Sequence, residues 1–192
     1  VKKTEISVGF DAKIVLISDL HLGKFKDEKF LERVVQKINE IEDADAVLIA
    51  GDHLAGDFSR LPDQDLEKYF APLEDLRKPT YAVLGNHDVD QPDSKLRVYL
   101  ARVFEDYGVM MLENEHVKIE GTDVFLIGLG DRWAGEDDVE ILEEFSRDQN
   151  IIVMAHNPDT AVRYTNDVAD ITLSGHTHGG QLRFPFIGAV FS

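Results

Sequence analysis

The chain has 192 residues, with 20 Lys and Arg against 37 Asp and Glu, so its formal net charge is −17. Its hydrophobic fraction of 43% is that of a folded protein, and the length predicts a single domain over residues 1–192. The acidity argues against stable binding to duplex nucleic acid, which needs clustered Lys and Arg, and the absence of Cys excludes thiolate metal sites and Cys nucleophiles.

Short apolar runs predict buried strands, and amphipathic segments between them predict helices. The strands are predicted at Ile14–Ile17, Ala46–Ala50, Tyr81–Leu84, Ile151–Ala155 and Ile171–Leu173. The helices are predicted over 27–41, 66–73, 96–107 and 139–145, with Asp27 and Asp93 as N-caps and Gly108 as a stop, and a hairpin is predicted over 117–127. This alternation predicts a layered α/β or α+β domain.

Polar residues follow each predicted strand. Asp19 and His21 follow the first, Asp52 and His53 the second, Asn86, His87 and Asp88 the third, His156 the fourth, and His176 and His178 the fifth. The carboxyl ends of strands are where α/β sheets bind ligands, and the neighbouring glycines let the backbone approach a ligand closely. Each motif alone is weak, because turn Asp and surface His residues are common, but fold alone does not explain all five together.

The donor types point to a metal site. Carboxylate and amide oxygens with imidazole nitrogens, and no thiolate, suit Mn, Fe, Zn, Co or Ni. The carboxylate of Asp52 can bridge two cations, so two Asp, one Asn and four His form a candidate two-metal site, with metals ~3.5–4 Å apart. His87 is left over and can act as a general acid.

These motifs resemble those of the calcineurin-like metallophosphoesterase superfamily. The matching segments are Asp19-Leu20-His21, Gly51-Asp52, Gly85-Asn86-His87-Asp88, His156 and Gly175-His176-Thr177-His178. The resemblance implies a four-layer α/β/β/α sandwich with the metals at strand ends. It implies that one metal is held by Asp19, His21, Asp52 and His178, and the other by Asp52, Asn86, His156 and His176. It also implies that His87 assists catalysis and that Asp88 orients its imidazole.

The activity that the resemblance implies is hydrolysis of phosphodiester or pyrophosphate bonds, by attack of a hydroxide that bridges the two metals. Protein phosphatases of the superfamily carry Arg soon after the Gly-Asp motif and Glu in place of Asp88, so that branch is disfavoured. Three alternatives stay open: a phosphomonoesterase of the same fold, a non-catalytic interaction scaffold, and a metal site without hydrolysis.

The segment from Leu173 to Gln181 resembles a bacterial branch that is often membrane-associated. The expected substrate is therefore a small phosphate ester, a pyrophosphate or a lipid head group, and the location is either cytoplasmic or membrane-associated through a segment outside this chain. Superfamily members usually continue with further strands, whereas this chain ends soon after His178, so we expect the second sheet to be truncated at its C-terminus.

Three further residues are candidate substrate contacts. His53 adjoins Asp52, Arg132 is suited to a phosphate, and Trp133 is suited to a base or an acyl chain. For each of them an ordinary loop position is the competing interpretation. The acidic run 136–138 is interpreted as the solvated start of the fourth helix, where negative charge is favoured by the helix dipole.

Overall fold

The computed structural model describes residues 2–55, 63–89, 95–164, 168–178, 183–184 and 188–189. The first sheet is parallel and has the order β1-β2-β3-β4. Its strands are β1 (Ile14–Ile17), β2 (Ala46–Ala50), β3 (Thr80–Val83) and β4 (Val109–Met111). Because the strands are parallel, the loops that follow them lie at one edge of the sheet.

The second sheet has the order β5-β6-β7-β8, in which only the β5–β6 pair is antiparallel. Its strands are β5 (Glu115–Lys118), β6 (Val124–Gly128), β7 (Asn150–Met154) and β8 (Ile171–Leu173). A separate antiparallel pair joins β9 (Arg183–Phe184) to β10 (Gly188–Ala189).

Helices cover the first sheet. They are α1 (Glu28–Asn39), α2 (Asp63–Phe70) and α3 (Lys95–Asp106). The side chain of Asp27 accepts a hydrogen bond from the Phe30 N–H and so caps α1, as predicted. After α3, Gly108 adopts a positive φ of 75°, which ends the helix. The predicted N-cap of α3, Asp93, lies outside the described residues.

The core forms layers on either side of the first sheet. Along β2, Val47 and Ile49 pack against the helices, whereas Ala46, Leu48 and Ala50 pack between the two sheets. This alternation follows from the two-residue period of a strand, and each fully buried Leu or Ile stabilises the fold by about 1.5–3 kcal/mol. A third cluster covers the outer face of the second sheet.

The α/β architecture and the five strand predictions are confirmed, with strand ends differing by at most one residue. The fourth predicted helix is different, because Val139–Glu144 is a 3-10 helix. The predicted positions Val139, Leu142 and Phe145 recur at a spacing of three, which suits a 3-10 helix. Ala71–Asp75 and Pro158–Val162 are 3-10 helices as well. None of the helices that the structure describes is long and apolar enough to cross a bilayer.

Candidate metal centre

The loops after strands of both sheets meet at one place. The N–H of Asp19 donates to the carbonyl of Gly51 at 3.0 Å, which ties the loops after β1 and β2. The N–H of Gly175 donates to the carbonyl of His156 at 3.1 Å, which ties the loops after β8 and β7. The predicted ligands therefore approach one another because the topology brings five strand ends together.

Backbone strain marks the same residues. Among the described residues, six other than glycine have a positive φ, and five of them are predicted ligands. These five are Asp19, His21, Asp52, His176 and His178, with φ between 45° and 68°. A left-handed backbone costs a non-glycine residue of order 1–3 kcal/mol and tends to occur at functional sites.

Two glycines permit the close contact of these loops. At Gly51 an added Cβ would lie 2.6 Å from Nδ1 of His156, and at Gly175 it would lie 2.8 Å from the carbonyl oxygen of Ala50. Real side chains do not approach this closely, so glycine is required for the strand ends to reach each other.

A first group of donors consists of Asp19, His21, Asp52 and His178, whose ligand atoms all lie within 4.8 Å of one another. Nε2 of His21 lies 3.1 Å from Nε2 of His178, and the two rings are nearly parallel. Nε2 of His178 lies 3.3 Å from Oδ1 of Asp19. Carboxylate oxygens and imidazole nitrogens at these separations fit a divalent transition metal.

A second group of donors consists of Asp52, His156 and His176, again within 4.8 Å of one another. Oδ1 of Asn86 lies between the two rings, 3.2 Å from Nε2 of His156 and 3.0 Å from Nδ1 of His176. Nδ1 of His156 bonds the carbonyl of Ala50 at 2.8 Å and, as donor, leaves the Nε2 lone pair facing the oxygens of Asn86 and Asp52. Such converging acceptor atoms fit a cation.

Asp52 belongs to both groups. Its Oδ2 lies 3.6 Å from Nε2 of His21 in the first group, and its Oδ1 lies 3.3 Å from Nε2 of His156 in the second. Oδ1 also accepts a hydrogen bond from the His87 N–H at 3.0 Å. Burial disfavours the carboxylate, but the bonds and charges of His156 and His87 outweigh it and lower the pKa of Asp52 to about 2. The side chain is therefore an anion placed between two donor sets.

The histidines have different protonation tendencies. Burial and the neighbouring histidines lower the pKa of His21 and of His176, which favours the neutral imidazole that binds metals. Burial also disfavours a charge on His156, but the hydrogen bond that a protonated Nε2 donates to Asp52 and the negative charge of that residue outweigh this and raise the pKa of His156. A metal at this position would replace that proton and bind the neutral ring.

His87 lies on the open side of the centre. Its side chain is exposed, and its ring centroid is 5.1 Å from that of His21. The contacts of Asp88 differ from the prediction that this residue orients the His87 ring. It is fully buried, and its carboxylate accepts backbone N–H groups of His53, Leu54 and Gly85 at 2.9–3.1 Å. Asp88 thus joins the loop after β2 to the loop after β3.

Two of the three candidate substrate contacts have partners within the protein. His53 is fully buried, its Nε2 donates to the carbonyl of Val83 at 2.9 Å, and its ring packs on Phe104. A ring in this position cannot touch a substrate, which corrects the prediction for His53. Nη1 of Arg132 lies 3.8 Å from the buried carboxylate of Asp137, at ion-pair distance, while 31% of the Arg132 side chain remains exposed.

Trp133 is the candidate contact that the structure brings to the centre. Its ring centroid lies 4.6 Å from that of His176, with the two planes at 79°. The side chain is 65% exposed, so it is available to a ligand.

The acidic run 136–138 is not solvated as predicted. Asp137 is 3% exposed and forms an ion pair with Arg163, and Glu136 pairs with Arg97 at 2.5 Å. Both arginines come from distant parts of the sequence, so the run itself carries no sign of its burial. Only Asp138 behaves as a helix start, since its side chain accepts the Glu140 N–H.

Sequence analysis missed Asn114. Its Oδ1 accepts the N–H groups of Gly130 and Asp138, at 2.9 and 3.0 Å, and its Nδ2 donates to the carbonyl of Glu136 at 2.8 Å. Asn114 has a positive φ of 55°, a conformation that Asn tolerates better than most residues. An Asn just before a predicted hairpin is the signal that could have indicated this role.

Comparisons with known proteins agree with this geometry. The sequence profile of the calcineurin-like phosphoesterase family matches residues 12–180. An Escherichia coli protein named Phosphodiesterase YaeI is 31% identical over 182 residues, which is 94% of this chain and 65% of that protein. An uncharacterized metallophosphoesterase from Campylobacter jejuni is 31% identical over 92% of this chain and 46% of its own length. The chain thus spans about half to two thirds of these relatives.

Solved structures share the fold at low sequence identity. The phosphopantetheinyl hydrolase of Mycobacterium tuberculosis matches with a TM-score of 0.54 and 14% identity, over 93% of this chain and 87% of that one. The NAD nucleotidase of Haemophilus influenzae matches with a TM-score of 0.56 and 18% identity, over 87% of this chain and 38% of that one. Since the family profile covers nearly all of the strand ends described above, the chain belongs to the calcineurin-like phosphoesterase family.

Proposed function

We propose that the chain is a phosphohydrolase that cleaves phosphodiester or pyrophosphate bonds at a centre of two divalent metal ions. The observation that supports this best is the position of Asp52, whose two carboxylate oxygens each face a different donor group. In the proposal, Asp19, His21 and His178 complete one metal site and Asn86, His156 and His176 complete the other. Residues 1–192 form the catalytic domain.

The bound cations would supply a water of lowered pKa and neutralise negative charge on the phosphoryl oxygens. The exposed imidazole of His87, next to His21, is placed to donate a proton to the leaving oxygen or a hydrogen bond to the phosphoryl group. Asp88 holds the backbone on both sides of this site, so that Asn86 and His87 remain in position.

The proposed substrate is a small phosphate ester or pyrophosphate, which includes the head group of a lipid. The name of the Escherichia coli relative favours a diester. Relatives from zebrafish and cattle are named as transmembrane proteins with a metallophosphoesterase domain, which is consistent with a lipid head group as one form of the substrate.

Metal analysis combined with a hydrolysis assay tests this proposal. We expect two metal ions per chain and turnover of bis(para-nitrophenyl) phosphate with Mn²⁺, lost on chelation and regained when Mn²⁺ is added back. Asp52→Asn should weaken binding at both sites, because the shared carboxylate loses its charge. Asp106→Asn makes the same change at an exposed position on α3 and should alter neither property.

Two results would contradict the proposal. A chain that holds a single metal at saturation would exclude the two-metal centre. A chain that holds two metals with His87 intact, yet turns over no monoester, diester or pyrophosphate, would exclude the hydrolase.

A further inference from the structure

One large aromatic side chain is displayed beside the candidate metal centre. Trp133 follows β6 and is 65% exposed, although its ring contacts His176 of the second donor group. An indole that is this exposed contributes little to the core, and its removal should cost the fold little. Its position calls for an explanation other than packing.

The loop that carries Trp133 is held firmly. Oδ1 of Asp131 accepts the Ala134 N–H at 2.8 Å, and its carbonyl accepts the Glu136 N–H at 3.0 Å. The N–H of Gly135 donates to the carbonyl of Arg132 at 3.0 Å. Asn114 closes the base of the same loop, as described above. A loop backbone held by such bonds loses little entropy when a ligand binds to the side chain that it carries.

The charged neighbour of Trp133 has an internal partner, since the Arg132 guanidinium lies 3.8 Å from the carboxylate of Asp137. Trp133 is the residue of this loop whose ring contacts His176, so the group that meets the centre is a neutral aromatic ring. Stacking on such a ring needs no cation, which matters in a chain whose net charge is −17. A substrate arm next to Trp133 is therefore recognised by its shape and its π-surface rather than by its charge.

We propose that Trp133 determines specificity by stacking on a planar aromatic group carried by one ester arm of the substrate, such as a nucleobase. This inference rests on the proposed function, since a phosphoryl group held at the second donor group, which includes His176, brings one of its arms beside the indole. Trp133 is thus a binding residue for the arm that is not cleaved, and the chemistry at phosphorus does not need it.

Paired substrates with a common leaving group test this inference. Thymidine, hexyl and methyl esters of para-nitrophenyl phosphate release the same nitrophenolate and differ in carrying a planar, an apolar flexible or a small arm. We expect Trp133→Ala to lower kcat/KM for the thymidine ester by about ten-fold or more, within the range found for loss of base stacking, and to leave the methyl and hexyl esters within two-fold. Trp133→Phe should retain most of the preference, whereas Trp133→Leu should not.

A binding measurement that needs no turnover accompanies this assay. Trp133 is the single tryptophan of the chain, so tryptophan fluorescence reports this position alone. With Mn²⁺ present, thymidine monophosphate should change the emission saturably, and ribose phosphate, which carries the same phosphate without a base, should not. The matched pair separates stacking from simple occupation of the metal centre.

The outcomes separate this inference from the proposed function. Discrimination in fluorescence without any hydrolysis would support stacking and contradict the hydrolase. Hydrolysis with no selective loss in Trp133→Ala, or with equal losses for all three esters, would overturn the role of Trp133 and leave the hydrolase standing. Equal losses for the thymidine and hexyl esters would show an apolar contact instead of stacking, which also overturns the inference.

Discussion

At the scale of single residues, His87 offers the sharpest separation between catalysis and metal binding. Its ring is exposed beside His21 and belongs to neither donor group. We predict that His87→Ala lowers kcat about 100- to 10,000-fold, the usual contribution of a general acid, while both metals stay bound. The loss should be larger for an alkyl leaving group than for nitrophenolate, which needs little protonation.

Metal analysis and steady-state kinetics check this prediction. His116→Ala is the matched control, because His116 is on β5 and its ring contacts Phe145 instead of the centre. If His87→Ala lost a metal along with its activity, the residue would have to be reassigned as a ligand.

Gly85 provides a second test at this scale. A Cβ at this position would collide with the backbone nitrogen and Oδ1 of Asp52 and would lie 2.9 Å from Cγ of His156. We predict that Gly85→Ala lowers the free energy of unfolding by about 1–3 kcal/mol, as overpacking does, and displaces Asp52 from both donor groups. Chemical denaturation and metal titration measure the two effects.

Gly9→Ala is the control, since a Cβ there meets nothing within 4 Å. If Gly85→Ala and Gly9→Ala had the same stability and the same metal affinity, the close approach of Gly85 to Asp52 would not be required for either property.

At the scale of elements, Asp88 joins the loops after β2 and β3. An Asn side chain offers one acceptor oxygen in place of two, so Asp88→Asn leaves at least one of the three buried N–H groups without its partner. We predict a loss of about 1–3 kcal/mol in the free energy of unfolding and weaker metal binding, although Asp88 touches no metal. Asp123→Asn, at an exposed carboxylate, should change neither.

Chemical denaturation and Mn²⁺ titration of both variants provide the measurement. A variant Asp88→Asn that is as stable as the parent but loses activity would instead support the expected contact with the His87 ring.

The strands and their polar ends were predictable because each apolar run stops at glycine or polar residues, such as Gly51 and Asp52 after Ala50. The hydrogen-bond and packing partners of these polar residues could not be predicted from the sequence. The burial of His53 depends on Val83 and Phe104, which are distant in sequence, and the three bonds of Asp88 depend on how two loops pack. Sequence patterns therefore placed the ligands at one edge of the fold but could not distinguish a ring that faces the site from one that faces the core.

At the scale of the whole molecule, we expect metal binding and folding to be coupled. The donor groups bring carboxylates and imidazole lone pairs together, and a bound cation would offset the electrostatic cost of this arrangement. At a free metal concentration 100 times the dissociation constant, binding stabilises the folded state by about 2.7 kcal/mol per site. Two such sites contribute about 5.4 kcal/mol, so for a domain of this size we predict that Mn²⁺ raises Tm by about 10–20 °C relative to the chelated protein.

Calorimetry with and without chelator measures this shift. In Asp52→Asn most of the Mn²⁺-dependent rise in Tm should be lost, whereas in Asp106→Asn the rise should be retained. An unchanged Tm in the parent protein would show that the donors do not bind the metal in the folded state.

The left-handed backbone of five proposed ligand positions has a consequence for how this sequence can change during evolution. Asp, Asn and His, together with Gly, are the residues that adopt positive φ most readily, and Asp, Asn and His are also metal ligands. Drift at Asp19, His21, Asp52, His176 or His178 is thus limited by the backbone even when selection for metal binding is relaxed. A descendant that lost its activity would still carry mostly Asp, Asn, His or Gly at these positions. An inactive homologue is therefore better recognised by a change at His87, where the backbone does not restrict the residue type.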